Sequence, residues 1–194
     1  MNWLGKHSII VVDNSTTDQT IQITSKFPKI TVIRNSRNLG FAQGNNIGAS
    51  AAIKTGADLV MLLNNDTKVD PNLALELAKG LDQADITVPK IYFYPGQEFH
   101  HDRYKPSDQG KVIWYAGGHI DWDNIMGIHH GVDEVDQSQF NVSHEVEFAT
   151  GCCMMIKRKV IDKIGLFDPR YYLYLEDADF SVRARRAGYR PSSS

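Results

Sequence analysis

"LVMLLNNDTKVDP", Leu59 to Pro71, is the stretch from which the fold is read. Its first five residues are a continuous apolar run of strand length, of the kind buried on both faces. The run stops at two amides and an acid, Asn64, Asn65 and Asp66. Asp70 and Pro71 then have the form of an N-cap followed by proline in the first helical turn, which predicts a helix running to about Gln83. A buried strand followed at once by a helix is one unit of an α/β sheet. An acid at the end of such a strand faces the crevice where open α/β sheets bind their ligands. The alternative for Asp66 is a residue that caps a turn.

The same unit recurs upstream. "HSIIVV" (His7–Val12) is β-branched and predicts a strand, ended by Asp13 and Asn14. Ser15 with Asp18 forms a weak capping box for a helix over Thr16–Lys26. "ITVI" (Ile30–Ile33) predicts the second strand, and Asn35–Gly40 a polar turn. Phe41–Thr55 is alanine-rich and helical, closed by Gly56 as a C′ residue. The third strand is Asp58–Leu63. The order β-α-β-α-β-α with short connections predicts a mostly parallel, Rossmann-like sheet with helices on both faces. The strand ends at Asp13-Asn14, Arg34-Asn35 and Asn64-Asn65-Asp66 then share one edge.

From Ile86 to Phe148 the pattern changes to short β segments with glycine and polar turns, and Asp102–Gly110 is charged and expected to be mobile. Lys157–Ile164, stopped by Gly165, and Asp177–Ala187, stopped by Gly188, predict two further helices. Phe180, Ala184 and Ala187 would share one face of the second. We read residues 1–194 as one domain, with a nucleotide-binding half (1–84) and an acceptor and catalytic half (85–194).

The 194 residues carry 21 basic and 23 acidic side chains, a net charge of −2, so no broad basic field points to nucleic acid. No stretch has the ~20 apolar residues of a membrane span. The N-terminus carries no signal-peptide core, and the adjacent pair Cys152-Cys153 suits a reduced, cytoplasmic setting better than a disulfide. Peripheral association with the inner face of a membrane stays open.

Neither G-x-G-x-x-G nor G-x-x-x-x-G-K-[ST] occurs, so the usual backbone cradles for phosphates are missing. A bound diphosphate would need another counter-charge. Mg²⁺ or Mn²⁺ held by a strand-end carboxylate supplies one, because such ions take one or two carboxylates plus phosphate oxygens. Asp66 has the residue type and the place. D-x-D by itself is weak: it occurs at Asp121–Asp123, where a hairpin turn is expected, and at Asp177–Asp179, where Asp179 suits an arginine partner. The tyrosines of Tyr171–Tyr174 either stack on a sugar or pack a strand. His100-His101 and His129-His130 read as surface pairs, His119 and His144 as isolated, the two cysteines as small core residues. Arg183, Arg185 and Arg186 read as a solvated helix face.

Five segments, in this order, resemble the family 2 glycosyltransferases of GT-A fold, in particular a rhamnosyltransferase-like branch: "IIVVDNSTTD" (Ile9–Asp18), "NLGFAQGNNIG" (Asn38–Gly48), "LLNNDT" (Leu62–Thr67), "GCCMMIKR" (Gly151–Arg158) and "LYLEDADFSVRARRAGYR" (Leu173–Arg190). The resemblance implies inverting transfer of a sugar from a nucleoside diphosphate sugar, dTDP-rhamnose-like or a UDP-sugar, to an acceptor hydroxyl of a glycan or lipid-linked acceptor. It implies a donor site at Asp13, Asn14, Arg37, Asn45, Asn46 and Asn65, a metal at Asp66, and Asp177 as catalytic base with Glu176 beside it. The residue types suit the chemistry: a carboxylate opposite the leaving group takes the hydroxyl proton, and a metal stabilises the leaving diphosphate. Helix N-terminal acids favoured by the dipole are the plain alternative for Glu176 and Asp177.

The likeness starts at what would be the family's second strand, and Met1–Lys6 cannot supply a preceding βα unit. A gap or exposed edge in the sheet is therefore expected, and such an edge is a route to an oligomer. A non-catalytic nucleotide-binding or interaction module derived from this fold is the alternative function. A sugar-phosphate nucleotidyltransferase is disfavoured, since its Gly- and Lys/Arg-rich opening loop is absent.

Overall fold

The structure is a computed structural model, and it describes residues 7–14 and 19–193. The βα units come first: β1 (Ile9–Asp13), α1 (Thr20–Thr24), β2 (Ile30–Arg34), α2 (Gly40–Lys54), β3 (Leu59–Leu63) and α3 (Leu73–Gly80). Short strands follow: β4 (Ile86–Val88), β5 (Ile91–Tyr92), β6 (Ile113–Tyr115), β7 (Gly118–Asp121) and β8 (Met126–His129). The chain then forms β9 (Cys153–Lys157), α4 (Arg158–Ile164), α5 (Glu176–Arg186) and β10 (Pro191–Ser193).

β1 and β2 pair in parallel, Ile9 with Ile30 through Asp13 with Arg34. The main sheet has the order β10-β4-β9-β3. There the expected parallel run is interrupted. β9, from the second half of the chain, lies antiparallel between β3 and β4, while β10 is parallel to β4. Among the described residues no ladder joins β1 to β3; α2 packs against both.

Helices cover both faces of the main sheet, which explains why β9 is apolar from Cys153 to Ile156. Met154 and Ile156 join the core beneath α2, α4 and α5, with Val60, Leu62, Ala49, Val160, Phe180 and Ala184. The alternate residues Cys153 and Met155 pack with Leu77, Ala78 and Leu81, contributed by α3 and the residue after it. A period of two on a strand buried on both sides needs apolar residues at every position. Tyr115 and Phe148 extend the first core toward the hairpin of β7 and β8.

Several boundaries differ from the sequence reading. The cap at Ser15 and Asp18 lies outside the described residues. The third helix starts at Leu73 with Asn72 as its cap, not at Pro71. The Asp70 carboxylate instead accepts from Asn72 N–H at 2.8 Å, closing a turn. The stretch expected to be mobile folds into 3-10 turns at His101–Arg103 and Pro106–Asp108, with Tyr104 Oη donating to the Asp133 backbone carbonyl at 2.9 Å. Ala187 ends α5 exposed, and Ser181 takes the buried place beside Phe180 and Ala184. Tyr171–Tyr174 form an exposed loop, not a strand.

Candidate functional site

α5 begins with Glu176 and Asp177, preceded by two left-handed residues, Tyr174 (φ 70°) and Leu175 (φ 68°). The two acids part company, as neighbours at a helix start must. Glu176 is 4% exposed, and its Oε2 has no hydrogen-bond partner. Burial holds its carboxyl above the ordinary range, and the Asp177 charge adds to the shift. Asp177 Oδ2 accepts from Gly151 N–H at 2.8 Å, and Oδ1 from Ala178 N–H at 2.8 Å. Burial raises the Asp177 carboxyl and outweighs these N–H bonds, which favour its charged form. Ser181 fixes the turn: its hydroxyl donates to the Asp177 carbonyl at 2.7 Å and accepts from Ala149 N–H at 3.0 Å.

The loop Thr150–Cys152 connects this acid to the end of β3. Gly151 is the contact with Asp177; a side chain there would meet Phe41 at 3.2 Å and Asp177 Oδ2 at 3.4 Å. The next residue, Cys152, accepts from Asn64 N–H at 2.9 Å through its carbonyl. Burial pushes the Cys152 thiol up to about 11, with the charge of Asp66, two residues past Asn64, as the second cause. Thr67 Oγ1 donates to the Asn64 carbonyl at 2.7 Å and shapes the strand-end turn, leaving Asn65 and Asp66 exposed. Two consecutive residues thus bond the start of α5 at Asp177 and the end of β3 at Asn64, two residues before Asp66, although 111 positions separate the two acids in sequence (177 minus 66).

The third acid lies on the strand that α2 packs against. Asp13 ends β1, 4% exposed, with Arg34 Nε at 3.6 Å. Asn14 Nδ2 donates to the Gly40 carbonyl at 2.9 Å, and its Oδ1 accepts from Asn35 Nδ2 at 2.7 Å. Gly44 lets Asn14 sit against the helix, since a Cβ there would stand 2.8 Å from Asn14 Nδ2. The residue after Gly40 is Phe41, whose ring borders Gly151. α2 thus touches both the residue after Asp13, through Gly40, and the loop that holds Asp177, through Phe41. Arg37 is exposed on the loop leading to α2. Asn45 and Asn46 turn to backbone instead: Asn45 Nδ2 donates to the Phe41 carbonyl at 3.0 Å, and the Asn46 amide bonds Phe167.

Among the described residues no group of three or more His, Cys, Asp or Glu side chains is arranged to hold a metal ion. An exposed single carboxylate such as Asp66 fits a Mg²⁺ or Mn²⁺ that takes its remaining ligands from phosphate and water. It does not fit a resident zinc-type site, which needs three or four protein ligands.

Two groupings escaped the sequence reading. His129 Nδ1 lies 2.9 Å from the Trp114 carbonyl, which can only accept, so that nitrogen carries the proton. Burial lowers the pKa of His129, and the Asp177 charge opposes the shift. His119, His130 and His144 are not isolated: His119 Nδ1 is 3.0 Å from His130 Nε2, and the His130 and His144 rings stack at 6.0 Å. The arginine face is also not simply solvated. Arg183 bonds Asp179 Oδ2 at 2.7 Å and donates to the Ile164 and Leu166 carbonyls, and Arg185 lies 3.3 Å from Glu147. Asp121 holds a hairpin turn as expected, accepting from Asp123 N–H and Asn124 N–H.

Over 195 residues the chain is 25% identical to an N-acetylglucosaminyl-diphospho-decaprenol L-rhamnosyltransferase of Mycobacterium tuberculosis, covering 94% of this chain and 62% of that protein. Over 185 residues it is 26% identical to the low-salt glycan biosynthesis hexosyltransferase Agl10 of Haloferax volcanii, covering 94% and 54%. The chain thus spans little more than half the length of these relatives. The solved structure of GalNAc-T7 with UDP, GalNAc and Mn²⁺ superposes with a TM-score of 0.67 at 18% identity, over 96% of this chain and 36% of that one. The fold is of GT-A type. The family model described as "Glycosyl transferase family 2" matches residues 3–165, and with that match the chain belongs to glycosyltransferase family 2.

Proposed function

We propose that this chain transfers a sugar, with inversion, from a nucleoside diphosphate sugar to an acceptor hydroxyl in glycan synthesis. One observation supports the reading: the adjacent residues Gly151 and Cys152 hydrogen-bond Asp177 on one side and the strand-end residue Asn64, two before Asp66, on the other. Asp177 is the base. Its carboxyl is raised by burial, which strengthens it as a proton acceptor, while Gly151 N–H holds it in place. Asp66, with Asn65 beside it, would hold Mg²⁺ or Mn²⁺; the ion supplies charge stabilisation for the leaving diphosphate when bound. Asp13, Asn14 and Arg37 border the nucleotide.

The names of the two relatives support a rhamnose-type or other hexose donor, and that of the Mycobacterium tuberculosis relative supports an acceptor carried on a lipid diphosphate. No described helix is long and apolar enough to cross a membrane. We place such an acceptor at the cytoplasmic membrane surface, met by peripheral contact.

The test is direct. Purified chain is assayed with dTDP-rhamnose and UDP-sugars, with and without Mn²⁺, on a short-chain prenyl diphosphate-linked N-acetylglucosamine. Metal-dependent product with inverted anomeric configuration, lost in Asp177→Asn, is expected. Nucleotide binding without transfer to any acceptor would instead support a binding module.

A further inference from the structure

Asn46 belongs to the motif that the family resemblance associates with the donor, yet its amide is engaged elsewhere. Nδ2 donates to the Phe167 carbonyl at 2.8 Å, and Phe167 N–H donates to Oδ1 at 3.0 Å. This two-way bond ties the middle of α2 to a residue 121 positions away. Asn46 also borders a shallow hollow of about 380 Å³ along α2, with Ile33, Gln43 and Ile47, but its oxygen and one N–H are committed to Phe167.

Phe167 begins the segment that delivers the base, Phe167 to Asp177. Other contacts hold the same segment. The Phe41 ring stacks with Phe167 at 6.0 Å, and Phe41 N–H donates to the Tyr172 carbonyl at 2.9 Å. From the α5 side, Arg183 donates to the carbonyls of Ile164 (2.8 Å) and Leu166 (2.5 Å). The segment ends in left-handed Tyr174 and Leu175, a conformation that persists only where its surroundings hold it. Loss of the anchor at Phe167 would let these two residues relax and shift Asp177 from Gly151 N–H.

We infer that Asn46 is a positioning residue for the base, clamping Phe167 so that segment 167–175 sets Asp177 against Gly151, and that it makes no contact with the donor. The inference rests on the reading of Asp177 as base. α2 then serves both sides of the site. Its first turns close on Asn14, and its middle holds the segment that ends in the base.

The test compares the full chain with Asn46→Ala and Asn46→Gln by three measurements. These are the transfer rate, calorimetric binding of UDP and dTDP with Mn²⁺, and hydrogen exchange over residues 167–175. A misplaced reacting group costs roughly 100-fold, so kcat is expected to fall by about 10- to 100-fold in Asn46→Ala. Nucleotide Kd should stay within about twofold, and exchange in 167–175 should quicken. Asn46→Gln, whose amide is displaced by a methylene, should not restore kcat. Weakened nucleotide binding with kcat unchanged would make Asn46 a donor ligand and overturn the inference, as would unchanged exchange in 167–175. If wild type transfers no sugar, the proposed function fails, and the exchange and binding measurements still decide the role of Asn46.

Discussion

The two acids on either side of the Gly151-Cys152 loop are housed in opposite ways. Asp177 is partly buried, fixed by backbone N–H groups and backed by Ser181. Asp66 stands exposed at the end of β3, with its charge felt by Cys152. The contrast follows from what each must do. A proton acceptor gains strength from burial, because desolvation disfavours its charged form. A carboxylate that receives a hydrated cation together with a diphosphate has to face water, since such ions keep several of their own waters. On the proposed roles, the base is built into the fold, whereas the metal ligand depends on what arrives.

The largest expected effect breaks the pair at the base. Asp177→Asn keeps the shape and the oxygen that accepts from Gly151, and removes the proton acceptor. The transfer rate should fall about 10²- to 10⁴-fold, the usual share of a general base. UDP binding with Mn²⁺ should remain. Equal loss of nucleotide binding would show that the two acids do not divide the work.

Breaking the other side should change binding before chemistry. Asp66→Ala is expected to abolish the Mn²⁺ enhancement of UDP binding. The loss should be at least the ~10- to 100-fold seen when even an outer-shell metal partner is removed. Metal-independent UDP affinity in wild type, measured by calorimetry, would remove Asp66 from the metal role.

A third change tests the framework that links the sides. Gly40 has φ +82°, and a Cβ there would stand 2.6 Å from the Tyr172 carbonyl oxygen. Both features oppose any side chain. Gly40→Ala should lower stability by at least ~1–3 kcal/mol, the cost of a strained backbone residue, as read from the denaturation midpoint. A neutral result would mean that Tyr172 is free to move, and that the base segment is less firmly held than the Asn46 and Phe41 contacts require.

The two acids were also unequally legible in the sequence. Asp66 follows a continuous apolar run and precedes a helix, so its place at a strand end could be read from local pattern. Asp177 could be assigned a role only through the resemblance. Its partner Gly151 is 26 residues away, and no periodicity announces that contact. The antiparallel β9 was hidden for a related reason: "CMMIK" has the same apolar character as a parallel core strand, and direction leaves no trace in a strand buried on both faces. Asn46 was grouped with donor residues because its neighbours belong to one motif, while its bond to Phe167 is purely tertiary. The histidines show the limit most plainly. His119, His130 and His144 come from separate segments and meet only because the β7–β8 hairpin folds back beside the residues that precede β9.

The smallest expected effect sharpens the contrast within the acidic pair at the start of α5. Glu176 is less exposed to solvent than Asp177, its Oε2 has no hydrogen-bond partner, and burial raises its pKa above the ordinary value. A carboxyl whose folded pKa exceeds its unfolded value favours the folded state while protonated. That contribution is complete below the unfolded pKa and is lost as pH rises through the folded one. At neutral pH that contribution is reduced or gone, and Glu176→Gln, which cannot ionise, should raise Tm at pH 7. The gain should be about 2–4 °C for each ~1 kcal/mol relieved in a chain of this size. The difference should shrink as pH is lowered toward 4, where wild-type Glu176 is protonated as well. A stabilising effect that persists unchanged at pH 4 would point to packing of the amide, not to the buried charge. Loss of transfer in Glu176→Gln comparable to that in Asp177→Asn would move Glu176 from a supporting position to the chemistry itself.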